Sequence, residues 1–100
     1  MAIYSIWESK FPPQAAADGL AVTEAIWQDM PAHDGYLEHV VLVDDDDPGH
    51  LLVVSRWASR AHADAVLREY SPHPNARAAD RLVAEPRRRF VAHRSEGDHA

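Results

Sequence analysis

Two apolar runs lying close together, Tyr36 to Val43 and Leu51 to Trp57, constrain this chain more than any other feature. Along a strand, successive side chains point to opposite faces. Here both alternations are apolar: Val41 and Val43 against Val40 and Leu42, then Leu51 and Val53 against Leu52 and Val54. A sheet with one wet face reads apolar-polar-apolar, whereas this pattern requires cover on both sides. Helices of the same chain can cover one face. A chain of 100 residues has nothing left for the other, so the runs predict a homodimer with the two sheets face to face. At this size a single chain also buries a modest core, and a sizeable ligand cavity needs help from a second copy.

The surrounding sequence supplies the helices. Ile3 to Glu8 is a β-branched and aromatic run, as a strand should be. Pro12-Pro13 blocks a continuing ladder and suits a first helical turn. From about Pro13 to Met30, Ala16, Leu20, Thr23, Trp27 and Met30 form a helical stripe in which Gly19 marks a close packing contact. Pro31 and Asp34-Gly35 end it. Asp44 to His50, with Pro48-Gly49 as the turn dipeptide, joins the two apolar runs into a hairpin. Ser59 is a helix N-cap, and Ala63, Val66, Leu67 and Tyr70 make a second stripe. Ser71-Pro72-His73-Pro74 breaks that helix, a short one resumes, and Pro86 stops it before a last strand from Arg87 to His93. The order is β-α-β-β-α-β, a ferredoxin-like α+β fold with a four-stranded antiparallel sheet. It occupies residues 1–94 as one domain, and 95–100 reads as a frayed tail.

Composition removes several function classes. Cysteine is absent, which excludes a disulfide framework, a thiolate nucleophile and Cys-based metal sites. No run approaches the roughly 18 apolar residues of a membrane span, and residues 1–20 lack a secretory signal, so the cytoplasm is the expected compartment. A net charge of −6 argues against nucleic acid as a partner. Seven histidines include no His-x-x-x-His pair on a helix, so no metal is expected. Asp44 to Asp47 lacks calcium-loop spacing and reads as a solvated turn. In Arg87-Arg88-Arg89, alternation points Arg88 one way and its neighbours the other, with a carboxylate across the interface as a partner for whichever lies there.

The stretch Gly35-Tyr36-Leu37-Glu38-His39, the hairpin through Leu51-Leu52-Val53-Val54-Ser55-Arg56-Trp57-Ala58-Ser59, and the helix opening after it resemble the antibiotic biosynthesis monooxygenase domain family. The resemblance covers about residues 2–93. It implies a dimeric α/β barrel; some members oxidise aromatic polyketides with O₂ and without metal or flavin, relatives degrade haem, and others have no known reaction. The haem-degrading branch places an Asn on the first strand. This chain has Ser5 and Trp7 there, and His62 and His73 do not match that branch's ligand spacing, so haem is a disfavoured substrate.

Four residues are the candidates for chemistry. Trp57 resembles the family's cavity tryptophan, offering a flat indole and one N–H donor; its alternative is a core position. His73 could take a phenolic proton near neutral pH, Arg77 four residues on could stabilise the phenolate, and Tyr70 could bond the same oxygen. The bland alternative makes the proline segment a simple turn and pairs Arg77 with Asp80 or another surface carboxylate. Two readings follow. One is a cofactor-independent monooxygenase acting on an aromatic polyketide-like phenol or anthrone; the other is a non-catalytic barrel that binds a small molecule or serves in assembly.

Overall fold

The computed structural model describes residues 2–95. Its elements are β1 (Ile3–Lys10), α1 (Ala16–Gln28), β2 (Tyr36–Asp44), β3 (Asp47–Trp57), α2 (Arg60–Tyr70), α3 (Pro74–Leu82) and β4 (Arg88–Ala92). The strands form one antiparallel sheet in the order β2-β3-β1-β4. This is the ferredoxin-like α+β fold, with its second helical segment split into α2 and α3. Beyond Ser95 the expected tail lies outside the described residues.

Local chemistry accounts for the element ends. Pro13 opens a short 3₁₀ turn that leads into α1. Gly19 lets α1 approach Phe11, because a Cβ there would sit 2.4 Å from a carbon of that ring. Gly35 adopts φ +85°, the left-handed conformation that turns the chain into β2. The Ser59 hydroxyl accepts the His62 backbone N–H at 3.2 Å and caps α2. At the helix break, His73 Nδ1 accepts the Asn75 backbone N–H at 3.0 Å, so the imidazole caps α3.

The hairpin turn differs from expectation. It falls at Asp45-Asp46, two residues before Pro48-Gly49 in mid-turn, and β3 begins at Asp47. Asp44 accepts the Asp46 N–H at 2.9 Å and Asp47 accepts the Gly49 N–H at 3.0 Å, so carboxylates shape the reversal. The β2–β3 register jumps from Val43↔Leu51 to Asp44↔Asp47. Pro48 to His50 therefore leave the β2 ladder, where a missing proline N–H does no harm, and turn to β1. Phe11 N–H donates to the Gly49 carbonyl at 2.8 Å.

Between sheet and helices, Ile26, Trp27, Met30, Val53, Trp57, Ala63, Val66, Tyr70, Ala76 and Ala79 form the core. The opposite sheet face carries Tyr4, Ile6, Val40, Leu42, Leu52, Val54 and Phe90 in register with one another. Val40, Leu42 and Phe90 are 47%, 45% and 44% exposed in the single chain. One apolar alternation of the middle strands faces the helices, as expected; the other forms a broad bare surface in the single chain. Arg88 belongs to this surface and reaches Glu8 of its own chain at 3.6 Å. Arg87 and Arg89 turn to the helix side, where Arg89 bonds Asp64 at 3.0 Å.

Candidate active site

The helix-side face of β1 presents Ser5, Trp7 and Ser9, and the inward stripe of α1 presents Thr23, Ile26 and Trp27. Where Trp7, Ser9, Thr23, Ile26 and Trp27 meet Val53, Val66, Leu67, Tyr70, Ala76 and Arg87, they line a part-open cavity of about 60 Å³. Trp7 and Trp27 bring flat apolar surface to its wall. Two hydroxyls stand among the apolar groups. Ser9 is 8% and Thr23 is 6% exposed, and neither side chain bonds to a group of the described residues.

Charge on the wall is sparse. Among the described residues Tyr70 and Arg87 are its ionisable members, and no carboxylate or imidazole of theirs lines it. Tyr70 is pushed up to about 12, first by burial and then by its hydrogen bond to Asp29, so it remains a neutral phenol. Its hydroxyl donates to Asp29 Oδ2 at 2.7 Å. The Arg87 guanidinium lies 4.9 Å over the Trp7 ring and donates from Nε to Asp80 at 2.8 Å. It stands at a boundary: Trp7, Leu67, Ser71 and Arg87 are shared between the cavity and an outer groove of about 640 Å³ walled by Asp80 and Val83 to Pro86.

The four expected residues separate. Tyr70 lies on the wall. His73 lies off it, stacked on the Tyr70 ring at 4.4 Å and 6°, with Nε2 3.9 Å from Asp29. Because Nδ1 is engaged as a helix cap, its imidazole meets the cavity only through Tyr70 and Asp29. Arg77 is exposed on α3, away from the wall, and Asp80 pairs with Arg87 in its place. Trp57 takes the core alternative. It is 1% exposed, its N–H donates to Ser55 Oγ at 3.0 Å, and Tyr36 packs edge-on against it at 5.7 Å. The wall tryptophans are Trp7 and Trp27.

Ser9, Thr23, Trp7, Trp27 and Arg87 were not among the expected site residues. One signal for them was in the sequence: Thr23 is the polar member of an otherwise apolar stripe, and Ser9 and Trp7 share one face of β1. For metal, no group of three or more His, Cys, Asp or Glu converges among the described residues. Nor is any helix among them long and apolar enough to cross a membrane.

A ferredoxin-like sheet with an aromatic-walled cavity beneath its helices defines the class: a small α+β domain with helices on one face of its sheet. The chain belongs to the antibiotic biosynthesis monooxygenase family, whose model matches residues 2–73. Solved structures share the fold at low identity. A crystal structure of an antibiotic biosynthesis monooxygenase superposes with a TM-score of 0.83 at 16% identity, covering 93% of this chain and 98% of that one. Rv0793 from Mycobacterium tuberculosis gives 0.76 at 22% identity, covering 96% and 97%. SnoaB, a cofactor-independent oxygenase from Streptomyces nogalater, gives 0.77 at 16% identity, covering 95% and 96%. No curated protein matches the chain.

Proposed function

We propose that this protein is a cofactor-independent monooxygenase that oxidises a small aromatic phenol or anthrone with O₂ in the cavity between sheet and helices. The observation that carries this reading is the wall itself: two indoles that offer flat apolar surface and one permanent cation, Arg87, to hold an oxyanion. Family membership and the likeness to SnoaB support it.

The chemistry follows from the charges. A phenol gives up an electron to O₂ far more readily once it is a phenolate. Arg87 stays charged at any working pH, and a cation beside the phenol oxygen favours the ionised form. With no base on the wall, the proton goes to solvent as the substrate enters. Tyr70 stays protonated, with its one O–H given to Asp29, so it is not the base. His73, stacked behind it, keeps its ring and Asp29 in place; Trp57 supports the site from the core. Arg77, exposed on α3, has no part in the scheme. One oxygen atom enters the ring as a carbonyl where hydrogen was lost, and the other leaves as water. The substrate supplies all the electrons, so the balance needs no outside reductant.

A second copy completes the molecule in this reading. The bare sheet face is apolar at its centre and carries both signs of charge at its rim (Arg56 with Glu38; Arg88 with Glu8), which suits a self-complementary two-fold contact.

Oxygen uptake with a panel of anthrones and naphthols, in chelator and without flavin, tests the activity. Arg87→Gln should lower turnover by about a hundredfold, the usual scale for removing one oxyanion donor. Uptake unaffected by Arg87→Gln, or none with any member of the panel, rejects the reading. One observation favours the non-catalytic alternative: 60 Å³ is well under the roughly 300 Å³ of ordinary ligand pockets. A ring therefore fits only if Leu67 and Arg87 swing toward the outer groove.

A further inference from the structure

The opening of β2, Tyr36-Leu37-Glu38-His39, holds a pair of rings with no part in the oxygenation scheme. In a regular strand Tyr36 and His39 would point to opposite faces. The β2–β3 register shifts between Tyr36↔Trp57 and Glu38↔Arg56, so one extra residue of β2 bulges out. Such a bulge re-aims side chains, and here it brings both rings to the helix side, opposite Trp57 and Ser55. The Tyr36 hydroxyl and His39 Nδ1 then lie 2.7 Å apart. Burial holds His39 below its ordinary 6.5, so the imidazole is uncharged near neutral pH. With its own proton on Nε2, it accepts the phenolic O–H at Nδ1.

These rings lead back to the cavity. Trp27, on the wall, has its ring centre 5.3 Å from that of His39, and Tyr36 lies 5.8 Å from His39 on its other side. Rings this close are within a single electron hop of one another. The other wall indole, Trp7, lies under the Arg87 guanidinium at 4.9 Å, which opposes a second positive charge on that ring. Among the described residues no cation stacks on Trp27. Trp27 is therefore the wall ring from which an electron is more easily drawn.

We propose that Tyr36 and His39 form a redox-active pair that draws oxidising equivalents out of the cavity through Trp27. The oxidant is a peroxyl radical, formed when O₂ adds to a substrate radical and the reaction stops short; that source rests on the oxygenase reading, whereas the relay itself does not. The peroxyl radical takes one electron from Trp27 and becomes a peroxide anion. The indole radical cation then takes one electron from Tyr36 as the phenolic proton moves to His39 Nδ1. The products are intact Trp27, a neutral tyrosyl radical and an imidazolium. Both rings of the pair are partly exposed, so one electron from a thiolate in solution, with return of the proton from His39, resets it. The base decides where the radical rests. Trp57, 5.7 Å from Tyr36, gives its N–H to the Ser55 hydroxyl, which cannot take a proton. Tyr70 gives its O–H to the Asp29 carboxylate, a class of group far less basic than an imidazole.

Pulse radiolysis with the azide radical, a one-electron oxidant that attacks indoles faster than phenols near neutral pH, reads the relay without any substrate. In wild type the indolyl absorption should decay as a phenoxyl absorption rises. The chain has three tyrosines. Tyr36→Phe should lose the phenoxyl band, and a Tyr4→Phe/Tyr70→Phe double variant should keep it. His39→Gln removes the base and keeps a polar side chain; it should slow the transfer by about a hundredfold, the low end of what a positioned base contributes. Trp27→Phe should slow it as well, and unchanged melting temperatures confirm that each fold is intact. Phenoxyl that survives Tyr36→Phe, is missing from the double variant, or rises at the wild-type rate in His39→Gln overturns the proposal. Transfer to Tyr36 in a protein that consumes no O₂ with any phenol would instead keep the redox pair and reject the oxygenase.

Discussion

At the scale of single residues, the partner of each polar group decides its role. Trp57 was legible as an inward-facing aromatic, because it alternates with Val53 and Ser55 on β3. Its distance from the cavity was not. The Ser55 hydroxyl, itself donating to the Ser5 carbonyl at 2.8 Å, accepts the indole N–H and turns that donor inward. Trp57→Phe should therefore cost stability, about 1–3 kcal/mol from lost packing and the unfilled space, and leave turnover per folded molecule near wild type. Denaturant melts alongside initial rates check this; a rate loss with unchanged stability would put Trp57 back in the site. His73 and Arg77 were grouped by their spacing of four, but His73 precedes α3 as its cap and Arg77 looks to solvent. Sequence spacing defines a helical face only when both residues lie inside the helix.

At the scale of elements, the hairpin is held by a small ionic clasp. His50 bonds Asp44 at 2.8 Å and Glu8 at 2.7 Å, tying the end of β2 and the start of β3 to β1, with Arg88 and Lys10 adding positive charge beside Glu8. The Asp44 hydrogen bond, then that of Glu8, raises His50 above its ordinary 6.5. Its contribution is whole below that value and is lost as pH rises through the raised one. Glu8 and Asp44 are lowered from 4.5 and 3.8, in both cases chiefly by His50. Their contribution is present above those values and is lost as pH falls through the lowered ones. The clasp is therefore complete between about pH 4.5 and 6.5. Wild type should lose more melting temperature than His50→Gln between about pH 5.5 and about 8.5, by a small margin because the groups are solvent-screened. Parallel pH losses in the two proteins would show that the clasp carries no stability. Nothing in the spacing of Glu8, Asp44 and His50 announces this meeting of three strands.

At the scale of the whole molecule, the bare sheet face is where the proposed dimer is tested. Leu42 is 45% exposed in one chain, so a lysine there leaves the monomer fold almost untouched. In a face-to-face dimer the same change removes an apolar contact twice and brings charge into the centre. Leu42→Lys should weaken association by about 4 kcal/mol, roughly 2 per copy, and sedimentation velocity should show wild-type dimer and variant monomer. A wild-type monomer throughout the micromolar range would leave the face to some other partner.

The order of strands and helices, the apolar character of both faces of β2 and β3, the Ser59 cap, the close approach at Gly19 and the opposite directions of Arg88 and its neighbours were all determined by the sequence itself. Each depends on local backbone periodicity or on the size of one side chain. The place of the turn at Asp45-Asp46, the separation of Trp57 from the cavity, the position of Arg87 rather than Arg77 on the cavity wall, and the convergence of Ser9 with Thr23 were decided by tertiary structure. These depend on which side chains from distant segments reach one another across the sheet. Such distances are set by strand register and helix packing, and no window of sequence contains them.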